Sequence, residues 1–170
     1  MIFGMSLATY TMLHVAISLI GIFSGFIVLI GLLTRKRMNG WTAVFLTSTV
    51  LTSVTAFGFP FTHLLPSHKL AIISLVVIAI AILARYAFRM AGAWRGTYVI
   101  TGMIALYLNV FVLVVQSFEK VPALKALAPT QSERPFVVTQ LVVLTAFVLL
   151  IILAVGKFGH EQHGAASLSS

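Results

Sequence analysis

Between residues 11 and 33 the chain carries no Asp, Glu, Lys or Arg, and uncharged apolar runs recur at 41–61, 70–84, 97–118 and 135–156. A run of roughly 20 apolar residues wound as a helix is what crosses a hydrocarbon core of about 30 Å. A water-soluble core has no use for five of them. The composition agrees: 60% of the 170 residues are hydrophobic and 8% charged, whereas about a quarter of a soluble domain is charged. We therefore expect an all-α, polytopic transmembrane helical bundle of about five helices, with spans at 11–33, 41–61, 70–88, 97–118 and 135–158. The bundle takes residues 1–158, and the small, polar stretch 159–170 is expected to be a disordered cytoplasmic tail. Residues 1–11 lack a basic leader, so the first run is read as a retained helix.

Charge sets the orientation. Arg35, Lys36, Arg37, Arg85, Arg89, Arg95 and Lys157 fall at one level of this arrangement, and Lys69, Lys120, Lys125 and Arg134 at the other. Cytoplasmic loops hold the excess of Lys and Arg. That places the N-terminus outside and the C-terminus in the cytoplasm. The same clustering at the ends of apolar runs accounts for the net charge of +8 without a nucleic-acid partner.

Several chemistries are excluded. No cysteine is present, which removes thiolate metal sites, disulfides and thiol nucleophiles. The three acids, Glu119, Glu133 and Glu161, lie in loops or the tail, so a proton or cation path driven by an intramembrane carboxylate has no basis. Familiar catalytic motifs are missing as well, and an enzyme is not the expected reading.

What remains is a set of polar groups at helical spacing. His14, Ser18, Gly21 and Gly25 follow one face of the first span, and small residues on such a face let helices approach closely. Gly102, Ala105, Asn109 and Gln116 do the same in the fourth. With Gln140 of the fifth span, His14 and Gln116 share one depth in the outer leaflet. Two readings stay open for them: interhelical hydrogen bonds worth roughly 1 kcal/mol each, or a ligand pocket. The second span is dense in hydroxyls, from Thr47 to Thr55, which either line a polar path or bond back to their own helix. His63 and His68 flank the short outer turn THLLPSHK. A metal, or a haem b held by His14 with His63 or His68, would use them.

At the opposite level Arg85 and Arg89 either snorkel to lipid phosphate or hold an anionic lipid head group. In the long outer loop, Val121, Leu124, Leu127 and Ala128 are spaced for a short amphipathic helix ended by Pro129, a lid or an interfacial anchor.

At LHVAISLIGI, TSVTAFGFPFTHLLPSHK, YLNVFVLVVQSF and KVPALKALAPTQ the chain resembles small polytopic integral membrane proteins of bacterial genomes that have no assigned activity. The resemblance implies a bacterial inner membrane and no mechanism. The expectation is a non-enzymatic protein with a polar outward pocket of His14, Asn109, Gln116 and Gln140, roofed by His63 and His68, that takes a quinone or lipid. The rivals are a haem-b electron-transfer subunit, a transporter component, and an accessory subunit packed against other membrane subunits or a second copy.

Overall fold

The computed structural model describes residues 4–59 and 66–159. They form α1 (Leu7–Leu33), α2 (Asn39–Ala56), α3 (Pro66–Ile82) running into a π-helical turn (Leu83–Ala87), α4 (Trp94–Lys120), the short α5 (Pro122–Leu127) and α6 (Arg134–Gly159). The expected His63 and the tail beyond Gly159 lie outside the described residues. Among those described the fold is all helix, as expected.

Local chemistry moves the helix ends from where hydropathy alone puts them. α1 starts four residues before Thr11 because the Ser6 hydroxyl accepts the Thr9 amide at 3.1 Å, an N-cap that satisfies an otherwise orphaned donor. It stops in a Schellman turn: Arg35 takes a φ of 59°, and the Lys36 amide returns to the Gly31 carbonyl at 2.8 Å. That turn delivers the chain directly into α2, so Asn39 and Gly40, outside the expected span 41–61, open the helix.

Successive long helices are antiparallel. The Tyr10 hydroxyl donates to the Thr55 carbonyl at 2.7 Å, Gly21 lies on Ser48, and Gly31 lies on Met38, so α2 descends the whole of α1. At the ends of α3, His68 meets the Phe57 ring at 5.6 Å and Arg85 reaches Asn39 at 2.6 Å. Between α4 and α6, Phe118 pairs with Phe136, Tyr107 with Phe147, and Arg95 with Phe158. The result is an up-and-down bundle with α4 at its centre, touching α1, α3 and α6. One end gathers Lys36, Arg37, Arg85, Arg95 and Lys157 and is called here the basic end. The other holds His14, His68 and α5, and is called the histidine end.

The apolar core sits in the half of the bundle near the basic end. Val28, Leu29, Phe45, Leu46, Ile78, Met103, Leu106 and Phe158 pack there around the buried alanines 81, 84 and 105. Lipid is as apolar as leucine, so close packing and not water exclusion holds such helices together. Small residues at the seams are what permit it: a Cβ on Gly25 would lie 2.5 Å from Leu106 Cδ1 and 3.0 Å from the Phe45 ring.

Four helices are long and apolar enough to cross a membrane: Leu7–Leu33, His68–Ala87, Trp94–Lys120 and Arg134–Phe158. The chain is a multi-pass membrane protein. α2, the remaining expected span, falls short of that apolarity, and its side chains show why. Thr42, Ser48, Thr49 and Ser53 are buried against its neighbours, while Trp41, Val44, Leu51 and Val54 form an exposed apolar stripe at helical spacing. Its 18 residues rise about 27 Å at the helical repeat. Neighbouring helices, rather than its own composition, keep these four hydroxyls from lipid, while Thr47 is exposed.

Candidate functional site

The polar residues expected in one outward pocket are shared among three seams. His14, on α1, makes a 2.7 Å hydrogen bond through Nδ1 to the Thr55 hydroxyl of α2 and stands edge-on to Phe59 at 5.3 Å. Asn109, on α4, donates through Nδ2 to the Thr49 hydroxyl of α2 at 3.2 Å, alongside Gly21. Gln140, on α6, donates through Nε2 to the Phe111 carbonyl of α4 at 3.3 Å. Gln116 is half-buried on α4, two turns beyond Asn109. The small-residue faces of α1 and α4 do point inward: Gly21, Gly25, Gly102, Ala105 and Asn109 are all buried.

Of the two uses expected for the α2 hydroxyls, bonding back to their own helix is seen at Thr55, and a third, bonding to neighbouring helices, joins it. Thr55 bonds back to the Leu51 carbonyl at 2.7 Å as well as meeting His14, and Thr49 and Thr42 accept from or pair with α4. They tie helices together. His68 is 1% exposed and packs on Phe57. Both described imidazoles of the bundle thus lie against phenylalanines that follow α2.

Three buried side-chain oxygens in this half, those of Thr52, Ser74 and Gln140, have no hydrogen-bond partner among the described residues, and of these only the Gln140 amide oxygen is an acceptor with no proton of its own. Gln140 Oε1 is buried and has no hydrogen-bond partner, in a setting where an unmet acceptor costs several kcal/mol. One turn of α6 away, Phe136 packs edge-on against Phe118 at 5.4 Å. Phe118 in turn lines an open depression of about 350 Å³ together with Glu119, Lys125, Pro129, Thr130 and Gln131.

The expected short loop helix is α5, closed before Pro129 and bordering this depression. The turn after it is fastened twice. Gln131, at a φ of 58°, donates through Nε2 to the Val115 carbonyl at 3.1 Å. Glu133 accepts from the Thr130 hydroxyl at 2.8 Å and from the Thr130 and Ser132 amides at 3.1 Å. Desolvation works against that carboxylate's charge, but the hydrogen bonds from Thr130 and Ser132 outweigh it and hold Glu133 below the usual carboxylate range.

The basic end carries a second arrangement. Arg85 is held in place by its neighbours. It is half-buried, with Nη2 donating to Asn39 Oδ1 at 2.6 Å, Nη1 3.8 Å from the Met90 sulfur, and Cζ 5.2 Å from the Tyr98 ring centre. Arg89 does not share its face, contrary to an unbroken helix through residue 88. The π turn ends at Ala87, and Arg89 and Met90 take φ values of 49° and 55°, which turns Arg89 out to solvent and buries Met90.

Sequence reasoning overlooked Tyr10, Asn39 and Tyr98. The signal for the tyrosines is general: a buried phenol in an apolar helix must find a partner for its hydroxyl. No protein-family profile, curated protein or solved structure matches the chain.

Proposed function

We propose that the protein is a non-enzymatic inner-membrane protein of bacteria that binds a small amphiphile, with the histidine end facing outward and the basic end in the cytoplasm. The excess of Lys and Arg at the basic end supports the orientation. The ligand is a hydroxyl donor on an apolar chain, such as a reduced quinone or a lipid with a free hydroxyl, seated along the α4–α6 seam at the histidine end. Gln140 makes the contact and Gln116 lies on the same half of α4, while His14 and Asn109 stay tied to α2 in neighbouring seams. The observation that carries this reading is the buried Gln140 amide oxygen without a donor, which a ligand O–H would satisfy.

The test is binding of a short-chain ubiquinol, and separately of monoolein, to the purified protein in mild detergent. Gln140→Leu keeps the volume and removes the acceptor. Loss of one good hydrogen bond is expected to weaken the better ligand roughly tenfold. Equal binding by wild type and Gln140→Leu, or no binding of either probe, overturns the reading.

A second reading, an accessory subunit that packs against a larger complex, is favoured by α6. Val138, Leu141, Val142, Val148, Leu149 and Ile152 leave this helix apolar and exposed along most of its length. A partner co-purifying in fixed stoichiometry, and lost when small polar residues replace that stripe, is the outcome this reading requires.

A further inference from the structure

At the basic end the Schellman turn after α1 and the π turn after α3 bring two cationic segments over one small cavity. It measures about 10 Å³ and is lined by Val28, Leu32, Thr42, Tyr98 and Phe158 below and by Lys36, Arg37, Met38 and Arg85 at its mouth. Three cations therefore meet at a cavity whose lining has no carboxylate. Both acids among the described residues, Glu119 and Glu133, belong to the histidine end. Gathering like charges without a counter-charge costs Coulomb energy, least when the heads spread into water. Arg85 instead stays half-buried at the cavity mouth, held by Asn39 and set against the buried Tyr98 ring.

Its backbone is bent to achieve this. The π turn widens the helix at Arg85, and Arg89 and Met90 both occupy the left-handed region that side chains avoid. The Met90 amide closes the turn on the Ala84 carbonyl at 2.9 Å, which tucks its thioether under the guanidinium. A thioether is a poor acceptor, and the guanidinium has five N–H donors. Among the described residues, Asn39 Oδ1 and the Tyr98 hydroxyl are the oxygen acceptors that reach it. Tyr98 lies on the cavity floor, 3% exposed, with its hydroxyl bonded to Thr42. A cavity of this volume takes one water-sized group, and one phosphoryl oxygen is of that size.

From this geometry we infer that the basic end is a binding site for a phosphate-bearing anion, one oxygen of which enters the cavity between Arg85 and Tyr98 while Lys36 and Arg37 close over the others. Arg85 supplies the planar, paired donors that suit a phosphate edge, and the two exposed rim cations supply mobile charge. The site is distinct from the amphiphile seat at the histidine end and does not depend on it.

The chemistry is shared by an anionic lipid head group and by free phosphate, and the experiment separates them. Wild-type protein in dodecyl maltoside micelles is titrated with phosphatidylglycerol, with phosphatidylcholine and with inorganic phosphate, and binding is read by native mass spectrometry. Phosphatidylglycerol is expected to bind at least several-fold tighter than phosphatidylcholine. Each cation removed should cost roughly fivefold, the equivalent of about 1 kcal/mol, in Arg85→Gln and in the double variant Lys36→Gln with Arg37→Gln. The double variant alters exposed side chains only, so it reports even if Arg85→Gln fails to fold. Lys157→Gln, a cation at the same end that does not line the cavity, should change nothing. Inorganic phosphate binding with the same dependence on the three cations assigns the site to a free anion, and phosphatidylglycerol alone assigns it to lipid; either supports the site. Equal affinity for both lipids with no phosphate binding overturns it. So does a loss in Lys157→Gln as large as in the cavity variants, which marks a diffuse surface potential.

Discussion

Asn109 illustrates how a single polar residue is placed in this bundle. In hydrocarbon its amide must be met inside the protein, and Thr49 meets it at 3.2 Å at a point where Gly21 leaves room for α1 to close in. That Asn109 would face inward is legible from its spacing with Gly102 and Ala105. That its partner is Thr49, and not His14 or Gln140, is not. Position along a helix sets depth, but the partner depends on which helix lies at that azimuth, and the order of helices around α4 is a property of the packed bundle. His14 and Gln140 share the histidine half of the bundle and still meet different neighbours for this reason. Replacing Asn109 by Leu should destabilise the protein by about 1 kcal/mol, the size of an interhelical hydrogen bond in a membrane. In a double-mutant cycle with Thr49→Val, that loss should vanish once Thr49 is already changed; steric-trap unfolding measures it.

At the scale of elements, each departure from hydropathy has a local cause. A hydroxyl cap extends α1, a left-handed Arg35 ends it, and a π turn stops α3 before Arg89. Such backbone detail leaves little trace in an apolar pattern, because Arg35, Arg89 and Met90 are not the glycines that usually announce a left-handed turn. The small-residue seam, by contrast, is plain in the sequence as Gly21 and Gly25. Its energetics follow from the space available. Gly25→Ala would press a methyl group on Leu106 and the Phe45 ring, and overpacking of this kind costs roughly 1–3 kcal/mol. Gly96→Ala in α4 meets nothing within 4 Å, so the better helix former should leave stability unchanged or raise it. Comparing the unfolding of these two variants separates close packing from helix propensity.

For the whole molecule the decisive element is α2. The other four long helices qualify as spans by apolarity alone, and their alternation makes sense only if α2 also crosses, returning the chain from the basic end to the histidine end. Hydropathy averages its two faces, hydroxyls inward and Trp41, Val44, Leu51 and Val54 outward, and so understates it. The two candidate sites inherit their separation from this crossing, one at each end of the bundle. Because the chain has no cysteine, the arrangement can be read with single substitutions on an unmodified background. The direct measurement is labelling by a membrane-impermeant maleimide of Lys36→Cys, Lys69→Cys, Ala91→Cys and Thr130→Cys, each in right-side-out and inside-out vesicles. Lys36→Cys and Ala91→Cys should react from one side only, the cytoplasmic one, and Lys69→Cys and Thr130→Cys only from the other. Labelling of Lys36→Cys and Lys69→Cys from the same side would mean that α2 does not cross, and would contradict the five-span bundle.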